Sequence, residues 1–530
     1  MDFPTRDGPP QVEDMVHAHG STERFEKTQQ LCNTLIQPMG FGWDDVEGET
    51  LAPWPQPSHV LTDIFADVLP LYSYQQNFLE KLRPQSNNHR HAYVSSGVSV
   101  DDCRKAVETA LSRHGMFRTL AIKFDEQTPL HVVMRPSEKY YQHCITVAEP
   151  VETAADLKRL LWNNPKYDYA AFPGPLFRIV LAHVKDENCA GFVYMAQHSA
   201  FDGISLPFLL EDIDALASGK PAAQLMQRVP FKVWIDSEYS LRNSLSSKLS
   251  VDWHLRRLRG LSSKKDSLFP KKRTPGWFKG DTTGWIDPST RQPGAERKSL
   301  VPDGDGVTGI AKQCALPDTQ RLKQEHGIEP STVLKVALAL INAKLTGTTQ
   351  ALLAQYQAGR SWPYLQEWQA SRLPSAMEVD GPTVQLICMA IETGREETAL
   401  SLLRRTQAEQ ADINKHAHAP FDDIIARLNE DGSGDGDVMS DIRRRQIFNW
   451  LPGSPDGFER LRKIQQVSRT DVGILWNCLQ LDQTHVQVMP SWDDAQLTPD
   501  EVEDMLAGVC KVVEALATEA NWSKDVKALA

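Results

Sequence analysis

The sequence predicts an α/β (α+β) fold in two lobes, and three observations lead there. Strand-like and helix-like stretches alternate in both halves of the chain. Its 530 residues exceed what one hydrophobic core ordinarily spans. A stretch rich in Pro, Gly, Ser and Lys over residues 261–305 separates the halves as a connector would. The division that follows is a leader at 1–60, an N-terminal lobe at 65–260, the connector at 261–305 and a C-terminal lobe at 306–520. Hydrophobic residues at 41% and charged residues at 24% supply the core and the solvated surface of an ordinary globular protein.

The elements follow in chain order. The leader is rich in Pro, Asp and Glu and lacks sustained periodicity, with some helix near 25–35. Residues 100–114 place Cys103, Val107, Ala110 and Leu111 at helical spacing, with Ser99 as N-cap and Asp102 completing a capping signature. The apolar, β-rich run at 190–195 reads as a core strand that delivers the polar loop around His198. Residues 206–213 read as helix, Pro207 being tolerated in a first turn. Beyond the connector, 317–344 reads as two helices split by EHGIEPST, with Ser331 capping the second. Strands are expected at 351–356, 384–391 and 472–476, and a last helix at 498–517.

Several function classes are excluded. A net charge of −12 disfavours nucleic acid or an anionic membrane as the main partner. No apolar run is long enough to span a bilayer; residues 331–345 carry Lys335 and Lys344 and read as an amphipathic helix. The start has no basic region followed by an apolar stretch, so no secretory signal is read and a cytoplasmic location is expected. Eight scattered cysteines without a CxxC pair read as reduced thiols, and no metal site is expected, His416 and His418 included. Trp253, Trp450 and Trp476 are read as packing residues, and the lysines of the connector as a solvated loop.

The sharpest local signal is Gln197-His198-Ser199-Ala200-Phe201-Asp202-Gly203. Imidazole titrates near neutrality, so His198 suits proton abstraction from an attacking amine or hydroxyl, or the orientation of that nucleophile. Asp202 suits an ion pair that holds the loop, and Gly203 a tight turn. Read in order, the chain also carries DVLPLYSYQQ (67–76), RHGMFRT (113–119), AGR (358–360), DGPTV (380–384), HAHAPFDDI (416–424), FNWLPG (448–453) and VGILWN (472–477). Together these segments resemble the condensation domains of nonribosomal peptide synthetases, most closely those of filamentous fungi, over roughly residues 65–520. FGWDD at 41–45 resembles a motif of plant-type acyl-CoA acyltransferases, but it precedes the HxxxD and is read as chance.

The resemblance implies two lobes, each like chloramphenicol acetyltransferase, in a V-shaped pseudo-dimer with the active site in a tunnel between them. It implies an acyltransferase that joins a carrier-bound acyl or peptidyl thioester to an amine or alcohol acceptor in specialised-metabolite biosynthesis. In the family's HHxxxDG motif the second His corresponds to His198, the Asp to Asp202 and the Gly to Gly203. The first His is replaced by Gln197, and the usual Trp after DG by Ile204. The family's Asp pairs with a distant Arg, for which Arg360 is the candidate. Arg113 and Arg118 are read as lobe supports, backbone groups near Gly203 as oxyanion donors, and no substrate-binding residue is named. No intrinsic cofactor is expected; phosphopantetheine would arrive on a partner carrier protein. Neither an adenylation loop nor a carrier segment is found, so the expectation is a free-standing protein acting in trans or on soluble substrates, unless the chain is one domain of a longer synthetase. The alternatives are an acyl-CoA-dependent or peptide-cyclising enzyme, and a non-catalytic carrier-binding module, motivated by Gln197.

Overall fold

The structure, a computed structural model, describes residues 65–76, 78, 88–123, 129–162, 174–271, 310–365, 367–451, 453, 457–467, 472–493 and 496–529. The leader, FGWDD and the connector from 272 onward lie outside the described residues. The chain divides into two compact units. Unit 1 comprises Met1–Ser244, Arg360–Thr383 and Pro455–Ser468; unit 2 comprises Leu245–Gly359, Val384–Ser454 and Arg469–Ala530. Unit 1 thus draws on two short segments from the C-terminal half, where continuous lobes at 65–260 and 306–520 are the expectation from sequence. Local composition carries no signal of such an exchange, because the contacts that decide it are long-range.

Unit 1 is built on a five-stranded sheet in the order Leu461–Val467, Asn88–Ser95, Cys189–Gln197, Phe177–Val184, Ile145–Val147. The strand Cys189–Gln197 is buried at every position, as its unbroken apolar run demands of a strand covered on both faces. Phe192, Tyr194 and Ala196 join the core that includes the Val100–Arg113 and Ser205–Ala217 helices. Val193 and Met195 join the core on the opposite face. Gly191 is required there: a Cβ would lie 2.7 Å from Val184 and 2.8 Å from Leu157. The first helix begins where expected, with Ser99 accepting the Asp102 N–H. A separate two-stranded ladder pairs Val229–Pro230 with Val379–Asp380, which ties the Arg360–Thr383 segment into this unit.

Unit 2 holds a six-stranded sheet in the order Lys312–Ala315, His485–Trp492, Ile474–Gln480, Gln446–Leu451, Gln350–Gln357, Gln385–Glu392. Its central helix, Pro330–Thr346, starts with Glu329 at the cap and Pro330 in the first turn, not with Ser331 as cap. Nor is it amphipathic: Lys335 is 1% exposed, with its ammonium donating to Gln355 and Gln410. The last helix, Pro499–Ala517, carries a full capping box between Thr498 and Glu501. Two cysteines depart from the reduced-thiol reading. Cys314 and Cys510 form a disulfide across a sequence separation of 196, which no spacing rule could have paired. Trp476 is buried in this unit's core, and Trp253 and Trp450 pack against it. Trp253 also stacks on His416, ring centroids 4.7 Å apart. Among the described residues no helix is long and apolar enough to cross a membrane.

Candidate active site

The histidine loop begins at the end of the buried strand. His198–Ala200 form a single 3-10 turn capped by the residue before it: the Gln197 side-chain oxygen accepts the Ser199 N–H at 2.5 Å. The Gln197 amide nitrogen donates to the Phe78 carbonyl at 3.2 Å. Gln75 holds the turn from another side, donating to the Ser199 carbonyl at 2.9 Å.

Within this frame the His198 ring is caged by aromatic side chains. Phe201 stacks parallel to it, centroids 4.8 Å apart at 7°, and Phe78 lies at 4.8 Å. Tyr74 and His89 meet it edge-to-face at 5.8 and 4.5 Å. His198 Nδ1 sits 3.0 Å from the Phe201 carbonyl oxygen. A carbonyl only accepts, so Nδ1 carries the proton of the neutral ring and Nε2 keeps its lone pair. The Tyr74 hydroxyl lies 3.4 Å from Nε2 and 3.0 Å from Nδ1. Burial lowers the His198 pKa below the ordinary imidazole value, while the Phe201 hydrogen bond and the Asp202 charge pull the other way. The ring is therefore neutral at neutral pH.

Asp202 faces away from this ring and into a fully buried ion pair. Its Oδ1 accepts Arg360 Nη2 at 2.5 Å, the two side chains being 1% and 2% exposed. The same oxygen accepts the Ile204 and Ser205 N–H groups at 3.0 and 2.8 Å, where the next helix begins. Oδ2 accepts the Thr383 N–H at 2.9 Å. Arg360 also donates to the Val379 and Gly381 carbonyls. Asp202 and Arg360 together join the histidine loop to the Arg360–Thr383 segment within unit 1. Gly203 is exposed on the surface of the loop.

A second buried ionic cluster lies in the same unit. His114 sits between Asp212 and Asp380, at 3.1 and 2.9 Å, and Arg113 reaches Asp212 at 2.7 Å. Burial lowers the His114 pKa, but the two carboxylates outweigh it and raise the value to about 9. Arg118 is buried against the Met134, Leu111 and Ser112 carbonyls.

Comparisons with known proteins show the family and the fold. The family model described as "Condensation domain" matches residues 65–442, more than half of the chain. The chain belongs to the condensation-domain family. Curated relatives of this condensation domain are fungal synthetases at low identity. FR901469 synthetase of Dothideomycetidae sp. is 19% identical over 88% of the chain and 3% of its own length. Nonribosomal peptide synthetase atnA of Emericella nidulans is 22% identical over 80% of the chain and 5% of its length. The benY synthetase of Aspergillus terreus is 23% identical over 68% and 28%. The chain thus spans less than a third of the length of each of these relatives. Among solved structures, the starter condensation domain of rhizomide synthetase RzmA aligns with a TM-score of 0.63 at 12% identity, covering 88% of this chain and 97% of that one. The condensation domain of the monacolin K polyketide synthase MokA gives 0.62 at 13%, covering 88% and 100%. These likenesses bear out the mixed α/β condensation-domain fold.

The structure brings His198, Asp202 and Arg360 into one contiguous site, with Gly203 on its rim. The sequence reading did not single out Tyr74, Phe78, His89 or His114. Tyr74 and His114 stand inside motifs quoted for other reasons, DVLPLYSYQQ and RHGMFRT. His89 had a weaker signal: in HRHAY, polar and aromatic side chains at 89, 91 and 93 share one strand face.

Proposed function

We propose that this condensation domain is an acyltransferase that joins a carrier-bound acyl or peptidyl thioester to an amine or alcohol in specialised-metabolite biosynthesis. The observation that carries the reading is the neutral His198 ring, proton fixed on Nδ1 by the Phe201 carbonyl and Nε2 left as the base. In the reaction the acceptor nitrogen or oxygen attacks the thioester carbonyl carbon. Its proton passes to Nε2, the C–S bond breaks, and the thiolate leaves on phosphopantetheine and takes up that proton. Asp202 and Arg360 position the loop and touch no reacting atom. Family membership supports the acyl-transfer class, and the synthetase relatives support a carrier as donor. The Gln197 exchange, which motivates a binding-only module, leaves the turn capped and so gives that alternative no structural support.

The test is intact-mass detection of product from the protein, an acyl-loaded carrier and a panel of amines and alcohols. His198→Ala is expected to lower the rate by at least about 10²-fold with carrier binding retained. Product formed equally by the variant, or formed from acyl-CoA and not from loaded carrier, overturns the assignment.

A further inference from the structure

The reaction proposed above develops negative charge on the thioester oxygen, and an enzyme of this kind needs a hydrogen-bond donor aimed at it. The backbone of the histidine loop supplies few. The Asp202 N–H is engaged by the Ser205 hydroxyl, the Ile204 and Ser205 N–H groups by the Asp202 carboxylate, and the Leu206 N–H by the Asp202 carbonyl. The Ser199 N–H is held by Gln197. Of the 202–206 stretch the Gly203 N–H alone lies outside these bonds, so the backbone near Gly203 offers a single donor.

A second histidine stands beside the loop. In the antiparallel pairing of Asn88–Ser95 with Cys189–Gln197, His89 lies opposite Ala196, two residues before His198. Its ring centroid is 4.5 Å from that of His198 and 5.2 Å from that of Phe201, perpendicular to both. The stacked rings of His198 and Phe201 are themselves 4.8 Å apart, so the three form a nearly equilateral triangle that fixes His89 beside the base. His89 is partly exposed, and among the described residues its ring makes no hydrogen bond. Behind it on the same strand face, His91 is 7% exposed with both ring nitrogens unpartnered among the described residues. The inner face of this strand therefore carries unused polar capacity next to His198 in what is otherwise an aromatic core.

We propose that His89 is a further catalytic residue, whose imidazole N–H donates to the thioester carbonyl oxygen as it becomes an oxyanion. The groups facing His89 are His198 in the turn that follows the neighbouring strand, His91 on its own strand and Lys463 on the strand to the other side. Burial comes first and these three positive or ionisable neighbours second in holding its pKa well below the usual imidazole value. It therefore stays neutral, keeps one N–H in every tautomer, and does not compete with His198 for the acceptor's proton.

The inference rests on the proposed acyl transfer, and its test separates the two. With the loaded carrier and acceptor that give product, His89→Phe keeps the aromatic volume and removes the N–H, and His89→Gln restores a donor. The expected result is a loss in kcat of about 10²-fold for His89→Phe with KM within a few-fold. His89→Gln should recover at least about tenfold of that, and the acid limb of the pH–rate profile should not move. A His89→Phe enzyme with wild-type kcat, or equal losses in both variants with a displaced acid limb, overturns the role of His89 alone. Wild-type protein that makes no product with any loaded carrier overturns the functional reading and this inference with it. If His89→Phe does not fold, the wild type is titrated with a pantetheine-linked phosphonate and with the matching amide, while the His89 N–H is followed by NMR. A downfield shift with the phosphonate and none with the amide is expected, and no response to the phosphonate refutes the donor role.

Discussion

Replacing Arg360 by Met removes a cation from a fully buried pair while nearly conserving volume, and its cost can be worked from the contacts. The change deletes the bond to Asp202 and those to the Val379 and Gly381 carbonyls. Asp202 keeps the N–H groups of Ile204, Ser205 and Thr383 but is left as a buried carboxylate without a counter-charge. Removing one partner from a buried ion pair costs about 3–5 kcal/mol, against about 0.2–1 kcal/mol for an exposed pair. At 1% and 2% exposure the first range applies. A chain of two compact units has no single unfolding free energy, so the assay is native-state hydrogen exchange at the Ile204, Ser205 and Thr383 amides. Arg360→Met should lower their opening free energies by about 3 kcal/mol or more, and adding Asp202→Asn should recover about 1–3 kcal/mol as the buried charge is neutralised. A loss under about 1 kcal/mol, or strict additivity in the double variant, would refute the claim that this pair holds the histidine loop.

Three further outcomes are expected. His114, with its folded pKa raised to about 9, contributes stability that is complete below about pH 6.5 and lost as pH rises through 9. His131 and His254 have folded pKa values lowered to about 3 by burial, so their contribution is present above about pH 6.5 and lost as pH falls toward 3. Unfolding midpoints across pH 4–10 should therefore fall on both sides, with the alkaline loss in unit 1 absent from His114→Gln. Lys335 is lowered to about 7, which penalises the folded state most at and below neutrality; Lys335→Met should stabilise unit 2 by about 1–3 kcal/mol at pH 6.5, with the gain vanishing toward pH 10.5. Replacing Cys314 and Cys510 by Ala opens a link across a separation of 196 and should destabilise unit 2 by about 2–4 kcal/mol in urea titrations, and an unchanged midpoint would show that the link constrains nothing.

What the sequence disclosed follows a physical pattern. Features written in local chemistry were legible: the Ser99 cap, the Thr498 helix start and the apolar strand that ends in His198. Features that depend on distant partners were not. The burial of Lys335 is set by Gln355 and Gln410, which come from other elements. The Leu461–Val467 strand pairs with Asn88–Ser95 across more than 360 positions, and nothing in either segment announces the other. Arg360 was found only because the family motif supplied its partner; an Arg after Ala-Gly has no signature of its own. His89 lay in a segment assigned to no element from sequence, and its nearness to His198 required the register of the sheet.

That register also bears on whether Gln197 marks a lost activity. A neutral imidazole offers one acceptor nitrogen and one N–H donor. A carboxamide offers an oxygen and an NH2, so it meets the same two demands. Here the demands are explicit: the Ser199 N–H needs an acceptor to close the 3-10 turn, and the Phe78 carbonyl needs a donor. Gln197 satisfies both from a residue 1% exposed, immediately before His198. The exchange of His for Gln at this position therefore preserves the support of the turn, and the His198 ring, with its proton on Nδ1, is untouched. Gln197→Ala should remove both bonds at once, leave two buried backbone groups unpaired at about 1–3 kcal/mol each, and loosen the turn that aims His198. A Gln197→His variant should restore the cap and keep the rate, and a Gln197→Ala variant as active and as stable as the wild type would show that position 197 supports nothing.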